Sequence, residues 1–521
     1  MSNRKFFILF TTALFMLVFT ACAPVASTDE VVVPGYQAQT QNELIWLHAS
    51  FAPTLDAHRS NDTTSRDVMR TMLEPLMYFA EGNVLTPLLA ESYEQLDDLT
   101  WKFTIRQGIN FHDGTPFNAE AVKINFERLL NPTNAFPRAD FLNMIAEVIV
   151  IDDYTIHMIT EFPFSPLPAQ LTNYAALMIS PAAIEMEQSG GLSVAENPIG
   201  TGAFKFDSIS HGDYIRVVRF DDHWRGVPQL DSIVFRTIPE PATRLAMLET
   251  GEAHGINAML SDVPILEEIP HIQTQSIVTT IFNYIGFNVE RPPLDDVRVR
   301  QAITMAINIE DILYGIAEGQ GVIATSPIAP SITHSPTNIE TLPFDPERAR
   351  ELLIEAGHED GFDINIWYNE GNSVRSLISQ LVQSNLADIG INVTISSLEW
   401  AAYLEATGAG EHDMFVLAWT GGTGDPDIQV HPLFHTDNIG ESGNRSFFSN
   451  PLVDALIDEG RREPDYATRS EIYHQLTEIL IYEAPVIFLF HPFQPMATNN
   501  VENLFIDFSA TPDFFRVRLT Q

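Results

Sequence analysis

Between Asp345 and Trp419 the apolar spacing switches repeatedly between helical and extended periods, and nothing else in the chain constrains the fold as much. Asp345-Pro346 supplies an N-cap and a proline preset for the first helical turn. Ala349, Leu352, Leu353 and Ala356 then share a face, and Gly357 ends the helix. Residues 364–368 read as a strand. The next helix starts at Ser373 and turns Val374, Leu377, Ile378, Leu381 and Ile389 inward, closing at Gly390. Ile391, Val393 and Ile395 alternate with polar residues as another strand. A helix over 400–406 leads to a strand over 414–419. Strand, helix, strand, helix, strand is the pattern of a parallel α/β sheet. Ligands of such open sheets sit beyond the carboxyl ends of the strands. The loops at those ends, 368–372 and 420–427, mix aromatic, amide, carboxylate and glycine residues, as expected of a site that reads a polar ligand.

The first half carries shorter signals. Residues 44–47 form a short buried strand, and Trp101 to Arg106 alternates apolar and polar side chains as a half-buried one. Phe111-His112-Asp113-Gly114-Thr115-Pro116 is turn chemistry. Asn118 then caps a helix whose apolar face is Ala121, Val122, Ile124, Phe126 and Leu129. Near the C-terminus, Val486-Ile487-Phe488-Leu489-Phe490 reads as a strongly apolar strand.

Arg4 and Lys5 precede an apolar run from Phe6 to Phe19, and small residues then lead to Cys22, the single cysteine. This is the layout of a secretory signal, too short for a membrane span of about 20 residues. Residues 23–41 read as a flexible tether. One cysteine excludes an intramolecular disulfide and any multi-cysteine metal site. A formal charge of −41, from 28 Lys+Arg against 69 Asp+Glu, argues against nucleic-acid binding, which needs a basic footprint. No GxSxG elbow, HExxH helix or GxxxxGK loop is present, so no catalytic residue is assigned and no cofactor or metal is expected. His431 and His435 read as packing or surface residues, and His112 as part of its turn.

Several ordered blocks resemble the family 5 extracellular solute-binding proteins, the peptide, dipeptide and nickel binders of ABC importers. They are Leu89-Ala90-Glu91-Ser92-Tyr93, Asp98-Leu99-Thr100-Trp101, the 111–116 turn with Ala119-Glu120-Ala121-Val122, Asn197-Pro198-Ile199-Gly200-Thr201-Gly202, Tyr284-Ile285-Gly286-Phe287-Asn288, Asp296 to Ala302, and Ala418-Trp419-Thr420-Gly421 with Gly424-Asp425-Pro426-Asp427. Around Cys22 the sequence also resembles a bacterial lipobox, with Phe19 where Leu is usual. The resemblance implies an α/β, two-lobed periplasmic-binding-protein fold of class II type with a hinge. Its expected division is 1–21 lipoprotein signal, 22–41 tether, 42–283 lobe I with an extra subdomain near 76–189, 284–492 lobe II, and 493–521 returning to lobe I. The chain would cross between lobes near 281–287 and return near 486–492.

By the same resemblance the protein is exported to the periplasmic or extracellular face and held there by lipid on Cys22. It acts as a monomer without enzymatic activity, delivering its ligand to a permease and, through it, to ATPase subunits. Candidate ligand contacts are Trp367, Tyr368, Asn369, Glu370, Trp400, Trp419, Thr420, Gly422, Asp425 and Asp427. Trp419 could equally be core, and Asp425-Pro426-Asp427 could be turn chemistry alone. Two departures stand out. In dipeptide binders an aspartate three residues after the tryptophan meets the ligand amine, and here that position is Gly422. The arginine that takes the ligand carboxylate is also missing from 366–368, while Arg375 lies on the helix beyond. A peptide is the leading ligand and an oligosaccharide the runner-up, with nickel complexes and haem below them; a sensor or adhesin without transport is the alternative of another class.

Overall fold

A computed structural model describes Thr40 and residues 42–520, so Cys22, its leader and most of the tether lie outside the described residues. The alternation read between 345 and 419 is present. Helices Pro346–Glu355, Ser373–Ala387 and Trp400–Gly408 accompany strands Phe362–Asn369, Ile391–Leu398 and Met414–Thr420. Asp345 caps the first helix, its Oδ1 accepting from Arg348 N at 2.9 Å. The strands are parallel, with Ile364 opposite Val393 and Ile366 opposite Met414, so their carboxyl ends lie at one edge.

One part of the helix reading needs correction. Val374 and Leu377 are 38% and 47% exposed, whereas Ile378, Val382 and Leu386, one turn apart, are buried. Leu377 stands about 100° around the helix from Ile378 and so points away from the sheet.

Strand Ile281–Phe287 runs antiparallel to Met414–Thr420 and buries alternate residues on opposite faces. Ile285 and Phe287 join the core under the βα helices, while Phe282 and Tyr284 join a second core under helices Pro451–Arg462 and Tyr466–Glu483. Burial on both faces explains why these strands read as continuous apolar runs. In the first half, Glu43–His48 pairs in parallel with Ser232–Thr237 and with Gly255–Asn257, over a core containing Trp46, Phe204 and Ile233. A separate four-stranded antiparallel sheet holds Thr100–Ile105 and packs on helix Ala119–Leu130, whose N-cap Asn118 accepts from Ala121 N at 3.0 Å.

Strand Val486–Asn499 joins the two halves into one twelve-stranded sheet. Residues 486–490 pair with Ile281–Phe287, and residues 493–499 pair with Ile272–Val278. It is much longer than its apolar stretch suggested, because Pro492 and Pro495 lie inside it and proline normally marks the end of a central strand. Pro492 falls where the strand changes partners, and its carbonyl accepts from both the N–H and the hydroxyl of Thr279 at 2.9 Å. Two lobes, each with its own cores, are thus linked by adjacent crossings.

Candidate functional site

The loop after strand Met414–Thr420 is fixed by the crossing segment at Thr280 and by its own lobe. Thr280 Oγ1 donates to Gly421 O at 2.5 Å, and Trp419 Nε1 donates to Ile428 O at 2.7 Å. The Trp419 ring is half-buried against the core beside Phe282 and Leu417. Arg469 grips Asp425 with two hydrogen bonds of 2.5 and 2.7 Å, and both side chains are buried. Burial alone would lower the Arg469 pKa, but the Asp425 charge outweighs it and raises it. Asp427 lies 3.0 Å from Arg461 Nε without an aligned hydrogen bond. Burial pushes its carboxyl up to about 6, against the opposing pull of Arg461. Both carboxylates are buried against arginines of their own lobe, although Asp427 Oδ1 makes no hydrogen bond.

The tip of this loop meets the first lobe. At Gly424 a Cβ would come within 2.4 Å of Phe79 Cζ and 3.0 Å of Phe508, so only glycine lets these rings press on the backbone. Gly422 is different. It is exposed, its φ lies outside the left-handed region, and a Cβ there would stand 3.7 Å from Phe141, 3.9 Å from Arg138 Nη1 and 4.0 Å from Asn173 Nδ2. A Cβ there would be in ordinary contact with these groups, so this point of the loop abuts a polar wall of the other lobe.

That wall holds donors without partners. Asn173 is 2% exposed, and its Oδ1 accepts from Ala175 N at 3.0 Å, which fixes the amide and leaves Nδ2 unpaired. The Tyr174 hydroxyl is buried beside Arg138 without an aligned hydrogen bond, its ring 4.3 Å from the guanidinium. Arg138 also lies over Phe141 at 5.1 Å; its Nη2 reaches only Asn61 O at 3.4 Å, and its Nε is buried with no partner. Burial lowers the Arg138 pKa, and nearby Arg66 acts the same way while Tyr174 and Asp62 oppose it. Arg138 is half-buried, and a cation with one long hydrogen bond and two ring contacts can still accept an anionic partner. Thr423, beside Gly422, adds a buried hydroxyl without a partner.

The other candidates gather elsewhere on the same edge. Trp367, Tyr368 and Asn369 are half-buried and Glu370 is exposed. Arg375 turns back so that its Nη1 donates to Asn369 Oδ1 at 2.6 Å, with its guanidinium 5.9 Å from the ring of Trp400. Trp400 is 46% exposed and stacks on Tyr403. Thus Gly422 and Gly424 are brought against the first lobe while Trp419 packs on its own core, Asn369 and Trp400 flank Arg375, and Trp367 and Tyr368 pack into cores on opposite faces of their strand. Sequence reading missed Arg138, Phe141, Asn173 and Tyr174, which belong to no motif; the scarcity of basic residues is the one signal that singles out Arg138. His112 bonds Gly202 O through Nε2 at 2.9 Å, holding its turn, and His431 faces Arg461 at 2.9 Å.

Residues 84–441 match the model of the bacterial extracellular solute-binding proteins, family 5 Middle. Over 445 residues, 84% of this chain and 86% of the relative, the chain is 33% identical to the glutathione-binding protein GsiB of Pectobacterium atrosepticum. HbpA2 from Haemophilus parasuis matches with a TM-score of 0.87 and 26% identity, over 92% of this chain and all (100%) of that one. The ABC transporter-associated periplasmic binding protein DppA from Helicobacter pylori, in complex with peptide STSA, matches with a TM-score of 0.73 and 28% identity, over 92% of this chain and 98% of that one.

Proposed function

Because the chain belongs to the family 5 bacterial extracellular solute-binding proteins, the substrate-binding components of ABC importers and not enzymes, we propose that it closes its lobes over a short peptide carrying free carboxylate and delivers it to an importer's permease. The observation that carries this reading is the approach of exposed Gly422 to Arg138 and Asn173, on a wall where Arg138 Nε, Asn173 Nδ2 and the Tyr174 hydroxyl have no protein partner. Carboxylate and peptide carbonyl groups are the acceptors such a wall accommodates. A relative that binds glutathione and a neighbour holding a peptide support the same class. An uncharged oligosaccharide would leave Arg138 without a counter-charge, which weakens that alternative.

Closure is a hinge motion about the paired crossings near Thr279 and Pro492, and bound ligand shifts the population toward the closed form. We place lobe I at 42–283 with its subdomain near 76–189, lobe II at 284–492, and the return segment at 493–521. The protein works as a monomer at the outer face of the membrane, held by lipid on Cys22. Labelled fatty acid should enter the wild type and not Cys22→Ala; equal labelling would end the anchor reading. Mass spectrometry of material released from denatured, freshly purified protein tests the ligand. Short acidic peptides of the glutathione type are expected, and recovery of neutral sugars alone would overturn the peptide reading.

A further inference from the structure

The lobes also touch at the C-terminal end of helix Pro451–Arg462. There the Arg461 guanidinium lies 4.8 Å from the ring of Phe162 and 5.3 Å from that of Phe164, both in the first lobe beyond strand Thr155–Thr160. The Arg461 carbonyl accepts from Ser165 N at 2.6 Å. On its other side the guanidinium is held by its own lobe. Asp427 stands 3.0 Å from Nε, and Nη1 donates to His431 Nε2 at 2.9 Å. Arginine can only donate, so this imidazole nitrogen is the acceptor. Burial, helped by Arg461, pushes the His431 pKa down to about 3 and keeps the ring neutral for that role. Phe164 is buried in the core under the four-stranded sheet, whereas Phe162 is 36% exposed.

We propose that Arg461 is a positioning residue for ligand capture, a latch whose guanidinium, seated in advance by Asp427 and His431, docks on Phe162 and Phe164 and holds the lobes closed. Because the side chain is already ordered within its own lobe, docking loses little rotamer freedom and keeps most of the attraction between cation and ring. The chain ties this latch to both walls of the site. From Ser165 it runs through helix Leu167–Gln170 to Asn173 and Tyr174, and Asp427 follows Gly422 and Thr423 in one loop. Ligand and latch therefore favour the same closed form, and each strengthens the other. The link to ligand affinity rests on the peptide reading; the latch itself does not, since all of its groups belong to the chain.

Phe162→Leu tests the latch from its exposed ring and leaves Arg461, Asp427 and His431 in place. From Pro163 to Pro166 only Phe164 and Ser165 carry an amide proton, so hydrogen exchange of this stretch reports the bond from Ser165 to Arg461. In the whole protein without added ligand, exchange there should be about threefold to fivefold faster in Phe162→Leu than in the wild type. Amides of strand Thr100–Ile105 and the thermal unfolding midpoint should not change. Arg461→Lys keeps a charge beside Asp427 and loses the planar face, so it should act similarly, and the double variant should add nothing further. Glutathione, titrated by calorimetry, should bind each variant about threefold to fivefold more weakly. Equal exchange in wild type and Phe162→Leu, or additive effects in the double variant, would overturn the latch. Faster exchange that spreads to strand Thr100–Ile105 would also overturn it, by making Phe162 a packing residue of its own lobe. Equal glutathione affinity in all the proteins would overturn the link to capture. If exchange changes as expected and glutathione binds none of them, the peptide reading falls and the latch stands.

Discussion

On the second-lobe wall of the cleft, Asp425 and Asp427 stand in the loop that resembles a ligand site, yet both face arginines of their own lobe. On the first-lobe wall, Arg138 stands in an unremarkable loop, and its Nε, Asn173 Nδ2 and the Tyr174 hydroxyl have no hydrogen-bond partner. The difference separates two uses of buried polarity. A charge whose partner is built in shapes the scaffold, whereas a charge left incomplete has its partner arrive from outside. Four measurements would break or sharpen that contrast.

The largest effect is expected at Asp425. Removing it in Asp425→Ala leaves Arg469 buried and unpaired, which should cost about 3–5 kcal/mol of stability. Chemical unfolding followed by circular dichroism would read this as a lower midpoint. An unchanged midpoint would mean that the pair is not part of the scaffold.

Asp427 makes a second test through pH. Its folded pKa of about 6 lies above the ordinary carboxylate value, so the folded state holds this proton more tightly than the unfolded chain. Its contribution is therefore fully present below about pH 4 and is lost as pH rises toward 6, up to about 3 kcal/mol in all. Asp427→Asn should remove that slope. Subtracting the variant's unfolding free energies from those of the wild type between pH 4 and 6.5 isolates this one group, and a flat difference would refute the assignment.

The same contrast explains what was legible in the sequence. Helices with good caps, such as those after Asn118 and Asp345, and strands with clean alternation, such as Trp101 to Ile105, can be read because local chemistry and burial agree. Strand Val486–Asn499 could be read only in its apolar first part, since Pro492 and Pro495 are ordinarily breakers and their tolerance depends on which strands lie beside them. Val374 and Leu377 fit an apolar face yet stand exposed, because the orientation of a helix on its sheet is a tertiary property. At the site, the 419–427 loop was found because it carries a motif. Its aspartates' commitment to Arg461 and Arg469 was not visible, as those partners lie on helices more than thirty residues away. The opposite wall was missed altogether: Asn61, Arg138 and Asn173 meet only after the first lobe has folded.

The third test is Arg138→Gln. A charge-assisted hydrogen bond in a dry cleft contributes roughly 1.5–3 kcal/mol, so affinity for a carboxylate-bearing peptide should fall by about one to two decades. Stability should change little, since the native state offers Arg138 one long hydrogen bond and two ring contacts. Calorimetry against a peptide and its C-terminal amide separates the causes. The wild type should prefer the acid and the variant should not; a retained preference would move the carboxylate to another cation, with Arg375 beside Asn369 the next choice.

The smallest effect concerns the ligand's other end. With Gly422 in place of a carboxylate, and with Asp425 and Asp427 both buried against arginines, the loop offers no exposed carboxylate to an α-amino group. N-acetylation of a bound peptide should therefore cost the wild type less than one decade of affinity. Gly422→Asp sharpens the point, because φ at this position imposes no strain and a Cβ meets its neighbours at ordinary contact distances. Its Cβ would stand 3.9 Å from Arg138 Nη1, close enough for the carboxylate to pair with that cation as well as with an incoming amine. Two consequences should appear together in Gly422→Asp: a preference for free over acetylated N-termini, and weaker binding of the peptide's acid end through competition for Arg138. Combining it with Arg138→Gln should keep the first and abolish the second. If acetylation costs the wild type two decades or more, an amine anchor exists that this geometry does not provide, and the contrast between an occupied wall and an open one fails at its central point.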